Sequence, residues 1–280
     1  MKTTLAFLFA TSALVGSASA DLVVTLRGTE PDGAAVKLAQ PAHGPLSATS
    51  ARFKGNKTVR DGAGESDRDL GQTFITGDEG FFLDRITFLL GAQPIAPSVF
   101  GAKVSVQLFE ISGTATVNDN GTKTGKLASW SDDPRVDDFI VGERYTTLAT
   151  ATKARMPAFL MPGQFVVLNF REGDRISLKP NTRYGFLFMF DEAAPDRSLA
   201  FATSYWGEHA DGHAIRREGA VLADVKKRTA TQPTTKAGTK SDVFSDLVFW
   251  VEGSDTAPAD QAIATANTAA DEGPLPLPKR

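Results

Sequence analysis

Two-residue alternation, recurring in short runs along the whole chain, most constrains what this sequence can fold into. "KVSVQLFEIS" (103–112) sets Val104, Val106 and Leu108 on one side and Ser105, Gln107 and Phe109 on the other. "GQFVVLNFRE" alternates Phe165, Val167 and Asn169 with Val166, Leu168 and Phe170. "NTRYGFLFMFD" sets Phe186, Phe188 and Phe190 against Leu187 and Met189. A period of two belongs to a strand, whose side chains point alternately to opposite faces; a helix would need a period near 3.6. "DLVVTLRG", "LGQTFIT", "FFLDRITFLLG", "RYTTLATATKA", "SLAFATSYW", "GHAIRRE" and "SDLVFWVEG" extend the series. About nine or ten short strands with few helical signals predict an all-β fold, an antiparallel jelly-roll-like β-sandwich.

Punctuation between the runs refines this. Gly77-Asp78-Glu79-Gly80 reads as the turn of a hairpin, and Lys179-Pro180-Asn181-Thr182 as a second turn. Residues 29–68, rich in Gly, Ala, Pro, Ser and charge, read as a long loop-rich excursion. "REGAVLADVKKRTA" fits either a short helix or an irregular hairpin. After Gly253 the chain turns Ala-, Thr-, Asp- and Pro-rich with almost no large apolar residue, so 254–280 is expected to be a disordered tail ending in a polyproline-like "PLPLP". One folded domain, 21–253, is the expectation.

The first twenty residues, "MKTTLAFLFATSALVGSASA", carry Lys2, an apolar run from Leu5 to Val15, and Ala18-Ser19-Ala20 before Asp21. That is the pattern of a secretory signal peptide cleaved after Ala20. It predicts a secreted or periplasmic protein. No later run is long enough for a transmembrane anchor. The formal net charge of −3 shows no basic excess and argues against a nucleic-acid partner. The absence of cysteine excludes disulfides, thiolate metal sites and a cysteine nucleophile. Export without disulfides suits a bacterial domain large enough to rely on its core.

Taken in order, "LGQTFITGDEGFFLDRITFLLG", "KVSVQLFEIS", "NTRYGFLFMFD", "DGHAIRRE" and "SDLVFWVEG" resemble the framework of a group of secreted bacterial jelly-roll domains. The shared pattern is a Gln-Thr-Phe strand, a Gly turn, a Leu–x–x–Ile strand and a closing Asp-Leu-x-Phe strand. The resemblance covers about Leu70 to Gly253. It implies an exported or surface-associated protein, similar in outline to carbohydrate-binding jelly rolls. Its motifs concern the framework, and a fold does not fix a function.

Candidate site residues collect in "SYWGEHADGHAIRRE". Tyr205 and Trp206 stand at a strand end beside a polar loop, a place for an aromatic platform against the C–H face of a sugar. His209, His213 and Arg216 follow. The four-residue histidine spacing would suit a metal on a helix, but Asp211-Gly212 signals a turn. "VNDNGTKTG", "SDDPRVDD" and Asp246 offer hard oxygen ligands, with Asp246 the first candidate for a structural calcium. No G-x-S-x-G, P-loop or dinucleotide motif occurs. The leading expectation is a non-catalytic binding protein with a polysaccharide or cell-surface glycan as partner. A lyase or hydrolase using Tyr205, His209, His213 and Arg216 is the competing class, and a structural envelope protein without a small ligand the third.

Overall fold

The computed structural model describes residues 18–42, 46–55, 67–113, 116–118, 139–170, 176–204, 212–218, 225–230, 233 and 246–255. The strands are β1 (Ala18–Arg27), β2 (Val36–Gln40), β3 (Leu46–Arg52), β4 (Arg68–Ile75), β5 (Phe81–Leu89), β6 (Lys103–Ser112), β7 (Thr116–Asn118) and β8 (Phe139–Val141). They continue with β9 (Arg144–Arg155), β10 (Phe165–Phe170), β11 (Ser177–Leu178), β12 (Arg183–Phe190), β13 (Ser198–Ser204), β14 (Ala214–Glu218), β15 (Asp246–Leu247) and β16 (Phe249–Ser254). One short helix, α1 (Val225–Thr229), and a 3-10 turn at Pro97–Val99 complete the described elements.

The all-β expectation holds, and the strands form one large, nearly closed sheet. Fourteen strands belong to it, in the order β15-β13-β3-β4-β12-β6-β9-β1-β10-β5-β16-β2, with β11 beside β5 and β14 beside β4; β7 and β8 pair separately. β1 is the joint. Its Ala18–Asp21 part runs parallel to β9, and its Leu22–Arg27 part runs antiparallel to β10. On the far side Leu90 bridges Phe201, and the Gly91 amide donates to the Ala200 carbonyl at 2.9 Å.

Alternation explains the core. Val104, Val106 and Leu108 of β6, Phe186, Phe188 and Phe190 of β12, and Val166 and Leu168 of β10 all enter one buried cluster. Phe88 meets Phe201 edge-on at 4.5 Å between ring centroids and Phe188 at 6.0 Å; Phe249 meets Phe186 at 5.8 Å. Each buried phenylalanine contributes on the order of 2–3 kcal/mol. Gly71 lets β4 approach β12: a Cβ there would stand 1.7 Å from the Phe186 carbonyl oxygen.

The other face of β4, β12 and β6 is also buried. Phe109, Ile111, Leu187 and Ile215 form a second cluster there. Beside it Arg217 donates to Asp69 Oδ2 at 2.9 Å and to Gln107 Oε1 at 2.8 Å. Gln107 donates to Thr147 Oγ1 and to the Thr229 carbonyl, each at 2.8 Å. Arg228 of α1 stands 3.6 Å from Asp69 and donates to the Phe190 carbonyl. Burial pushes the Asp69 carboxyl up, against the pull of the Arg228 and Arg217 guanidiniums.

Several expectations change. The described residues hold sixteen strands rather than nine or ten. Two of the additional strands, β2 and β3, lie inside the segment read as loop-rich. The 77–80 turn does not make a hairpin. β4 pairs with β12 and β14, while β5 pairs with β10, β11 and β16, so this turn carries the chain from one part of the sheet to another. "SDLVFWVEG" is broken at Val248 into β15 and β16, because the Val248 amide donates to Ala202 and its carbonyl accepts from Leu89. The ambiguous 217–230 segment carries both the end of β14 and α1.

Candidate functional site

Three of the sequence-predicted site residues, Tyr205, Trp206 and His209, lie outside the described residues. So do residues 119–125 and 131–138 of the oxygen-rich candidates, while Val117 and Asn118 lie in β7. The other three, His213, Arg216 and Asp246, are described, and all are buried, at 3 %, 2 % and 5 % exposure. Arg216 sits opposite Leu70 in the β14–β4 ladder. The His213 backbone is tied to Thr73, whose amide donates to its carbonyl at 2.9 Å.

His213 and Asp246 belong to two adjoining polar groups. His213 Nε2 lies 2.8 Å from Glu143 Oε2. The same oxygen accepts from Tyr145 Oη at 2.7 Å, and Oε1 accepts from Arg183 Nη1 at 2.8 Å. Burial alone would raise the Glu143 carboxyl; the hydrogen bond and charge of His213, with Tyr145 and Arg183, hold it instead at about 2. Asp246 Oδ1 accepts from Gln72 Nε2 at 2.5 Å, and Gln72 Oε1 accepts from the Leu247 amide at 3.1 Å. Burial pushes Asp246 up to about 6, against the Gln72 hydrogen bond and the His213 charge. These groups knit β14, β4, β9, β12 and β15 together.

Calcium takes six to eight oxygens. Among the described residues no three His, Asp or Glu side chains gather where one ion could sit, and Asp246 gives one oxygen to Gln72. The hydrogen bonds of Gln72 to Asp246 and to the Leu247 amide tie β4 to β15.

An accessible polar site lies elsewhere, on the face of β1, β10, β5 and β16 turned away from the core. Val24, Leu168, Ile86 and Val251 point inward along one register line. The neighbouring line, Val23, Asn169, Arg85 and Glu252, therefore points outward. A cleft of about 420 Å³ opens there, lined by Thr25, Leu26, Arg27, Asp32, Arg85, Val167, Asn169 and Glu252 among others. That volume lies in the range of small-ligand sites.

Glu252 is the floor of the cleft, with its side chain 4 % exposed. Its Oε1 accepts from Arg27 Nη1 at 3.3 Å and from Arg85 Nη1 at 3.5 Å, and its Oε2 accepts from Thr87 Oγ1 at 3.1 Å. Arg27 and Glu252 stand on strands separated by β10 and β5. The Arg27 side chain thus crosses the face to reach its partner. Asn169 Nδ2 donates to Thr25 Oγ1 at 2.9 Å and to the Val23 carbonyl at 3.0 Å. Paired donors and acceptors from four neighbouring strands make a surface for a polar, ring-sized ligand.

Sequence reasoning passed over this cleft. Its signal was available: Arg27, Arg85, Asn169 and Glu252 are polar residues on outward positions of otherwise apolar strands. Their convergence depends on the order β1-β10-β5-β16, which joins the two ends of the chain. Comparison with family models, with curated proteins and with solved structures gives no match.

Proposed function

We propose that this is an exported, non-catalytic binding protein whose ligand is a glycan, held in the cleft of Arg27, Arg85, Asn169 and Glu252. The observation that carries this reading is the cleft itself: an accessible hollow in a sheet face, with guanidinium, amide, carboxylate and hydroxyl groups gathered around it. Saccharides present many hydroxyls, and such a lining offers them donors and acceptors. The signal-peptide pattern and the resemblance to exported jelly-roll domains support the same reading. The nearly closed sheet is then the two facing walls of a β-sandwich. No helix among the described residues is long and apolar enough to cross a membrane.

A lyase built on His213 and Arg216 gains less support. The His213 side chain is 4 % exposed and its Nε2 is engaged by Glu143, so a substrate has no described path to it. The test is a glycan screen of the purified chain alongside Thr25→Trp. Thr25 is exposed in the cleft, so the indole fills the hollow without entering the core. Retention of a glycan by the parent chain, lost in Thr25→Trp, is the expected result. No retained glycan, or equal retention by both, overturns the assignment. Sequencing the N-terminus after bacterial expression checks export: a start at Asp21 is expected.

A further inference from the structure

The charge arrangement in the cleft goes beyond a general affinity for sugars. Two guanidiniums meet one carboxylate, and both reach it through Nη1 onto the same oxygen. At 3.3 and 3.5 Å these contacts are longer than the 2.7–2.9 Å of a strong charge-assisted bond. Among the described residues neither arginine has another hydrogen-bond partner, so Nε and Nη2 of each remain uncommitted. Arg85 is open to solvent, its side chain 49 % exposed. Glu252, by contrast, is satisfied by three donors and is too deep to meet a ligand's cation directly. Asp32 lines the rim, exposed, and forms no ion pair with either arginine.

We propose that the cleft selects an acidic saccharide, a uronate whose carboxylate bridges Arg27 and Arg85. The proposal rests on the glycan reading above. A planar carboxylate matches the uncommitted edge of a guanidinium by two parallel N–H···O bonds, which a neutral hydroxymethyl group does not. Glu252 fixes the arginines from below and holds their charge in place before the ligand arrives. The second carboxylate leaves the two cations neutralised rather than in excess. Asn169 keeps its Oδ1 for a ring hydroxyl.

Titration calorimetry with a uronate oligosaccharide, with the same oligosaccharide after reduction of its carboxyl groups, and with acetate separates the outcomes. Binding of the uronate oligomer is expected, weakened at least tenfold by carboxyl reduction, and also at least tenfold by Arg85→Gln. Affinity should fall as salt rises from low to physiological concentration. The urea midpoint of Arg85→Gln confirms its fold. Glu252→Gln, which removes the competing charge, should tighten the uronate oligomer without tightening the reduced one. Equal binding of both oligomers overturns selection for the acid and leaves the glycan reading intact. Binding of the uronate oligomer unaffected by Arg85→Gln overturns the assignment to this cleft. Acetate competing as well as the oligomer assigns the cleft to small organic acids and overturns the glycan reading. Binding of none of the three overturns both.

Discussion

Glu143 and Asp246 sit within one neighbourhood, yet their environments move them in opposite directions. Glu143 is held at about 2 in the folded protein against 4.5 unfolded. Its contribution, about 3 kcal/mol by linkage, is fully present above pH 4.5 and is lost as pH falls towards 2. Asp246 is raised from 3.8 to about 6, so the folded protein prefers it protonated. Its ionisation costs folding about 3 kcal/mol above pH 6, and that cost disappears as pH falls towards 4. Together these two groups make stability rise from pH 7 down to about pH 4.5 and fall below it. Asp191, raised by burial against the Ser105 hydrogen bond and the Arg228 charge, acts in the same direction as Asp246. Asp246→Asn should therefore raise the urea midpoint at pH 7 and make the profile between pH 7 and 4.5 shallower. An unchanged slope in that variant would remove Asp246 as its source.

A helix of five residues has too few hydrogen bonds to persist alone, so α1 depends on what it touches. Arg228 stands 5.2 Å from the centre of the Phe53 ring, 3.6 Å from Asp69 and 4.0 Å from Asp191, and Gln107 reaches the Thr229 carbonyl. Removing one member of such a buried group leaves a carboxylate short of a partner. Arg228→Ala should cost roughly 3–5 kcal/mol, read as a lowered urea midpoint, with faster amide exchange at Lys227 to Thr229. A midpoint within experimental error of the parent would show that α1 is held by something other than this ionic group.

The same elements show what sequence patterning conveys. In β6 the alternation places Val104, Val106 and Leu108 in the core, as the pattern predicts. It cannot tell that Ser105, Gln107 and Phe109 are equally buried, because the groups that satisfy Ser105 and Gln107, namely Asp191, Arg217 and Thr147, and the Leu187 and Ile215 that cover Phe109, come from distant segments. β2 and β3 escape notice for the reverse reason: "VKLAQ" and "LSATSAR" lie half-exposed and carry little apolar contrast. The Gln72 amide that donates to Asp246 is 174 residues away, so that bond is invisible from the neighbours of Asp246 in sequence. The cleft behaves likewise, since Arg27 and Glu252 lie 225 residues apart and no local pattern joins them.

At the scale of the molecule everything converges on β1. Its first part lies beside β9 and its second beside β10, so one strand links the two portions of the sheet and also carries Thr25 and Arg27 into the cleft. The change of partner falls between Asp21 and Leu22, one residue past the junction that the sequence marks for cleavage. Removal of residues 1–20 thus strips most of the parallel ladder and spares the whole antiparallel one. Removal of residues 1–27 is a different matter. It takes Leu22 and Val24 out of the core, at about 2–5 kcal/mol for each large aliphatic by analogy with core truncations. It also strips the β10 edge, next to a β9 edge already largely opened by the loss of residues 18–20, and unpaired edges invite association. Losses of that size rival the 5–15 kcal/mol that typically separates a folded domain from its unfolded chain. A chain beginning at Asp21 should keep one cooperative urea transition and its cleft ligand. A chain beginning at Gly28 should lose the transition, bind a hydrophobic dye and aggregate. If the shorter chain unfolds as cooperatively as the longer one, β1 is an accessory to the sheet, and the cleft on its outer face is not built on a rigid wall.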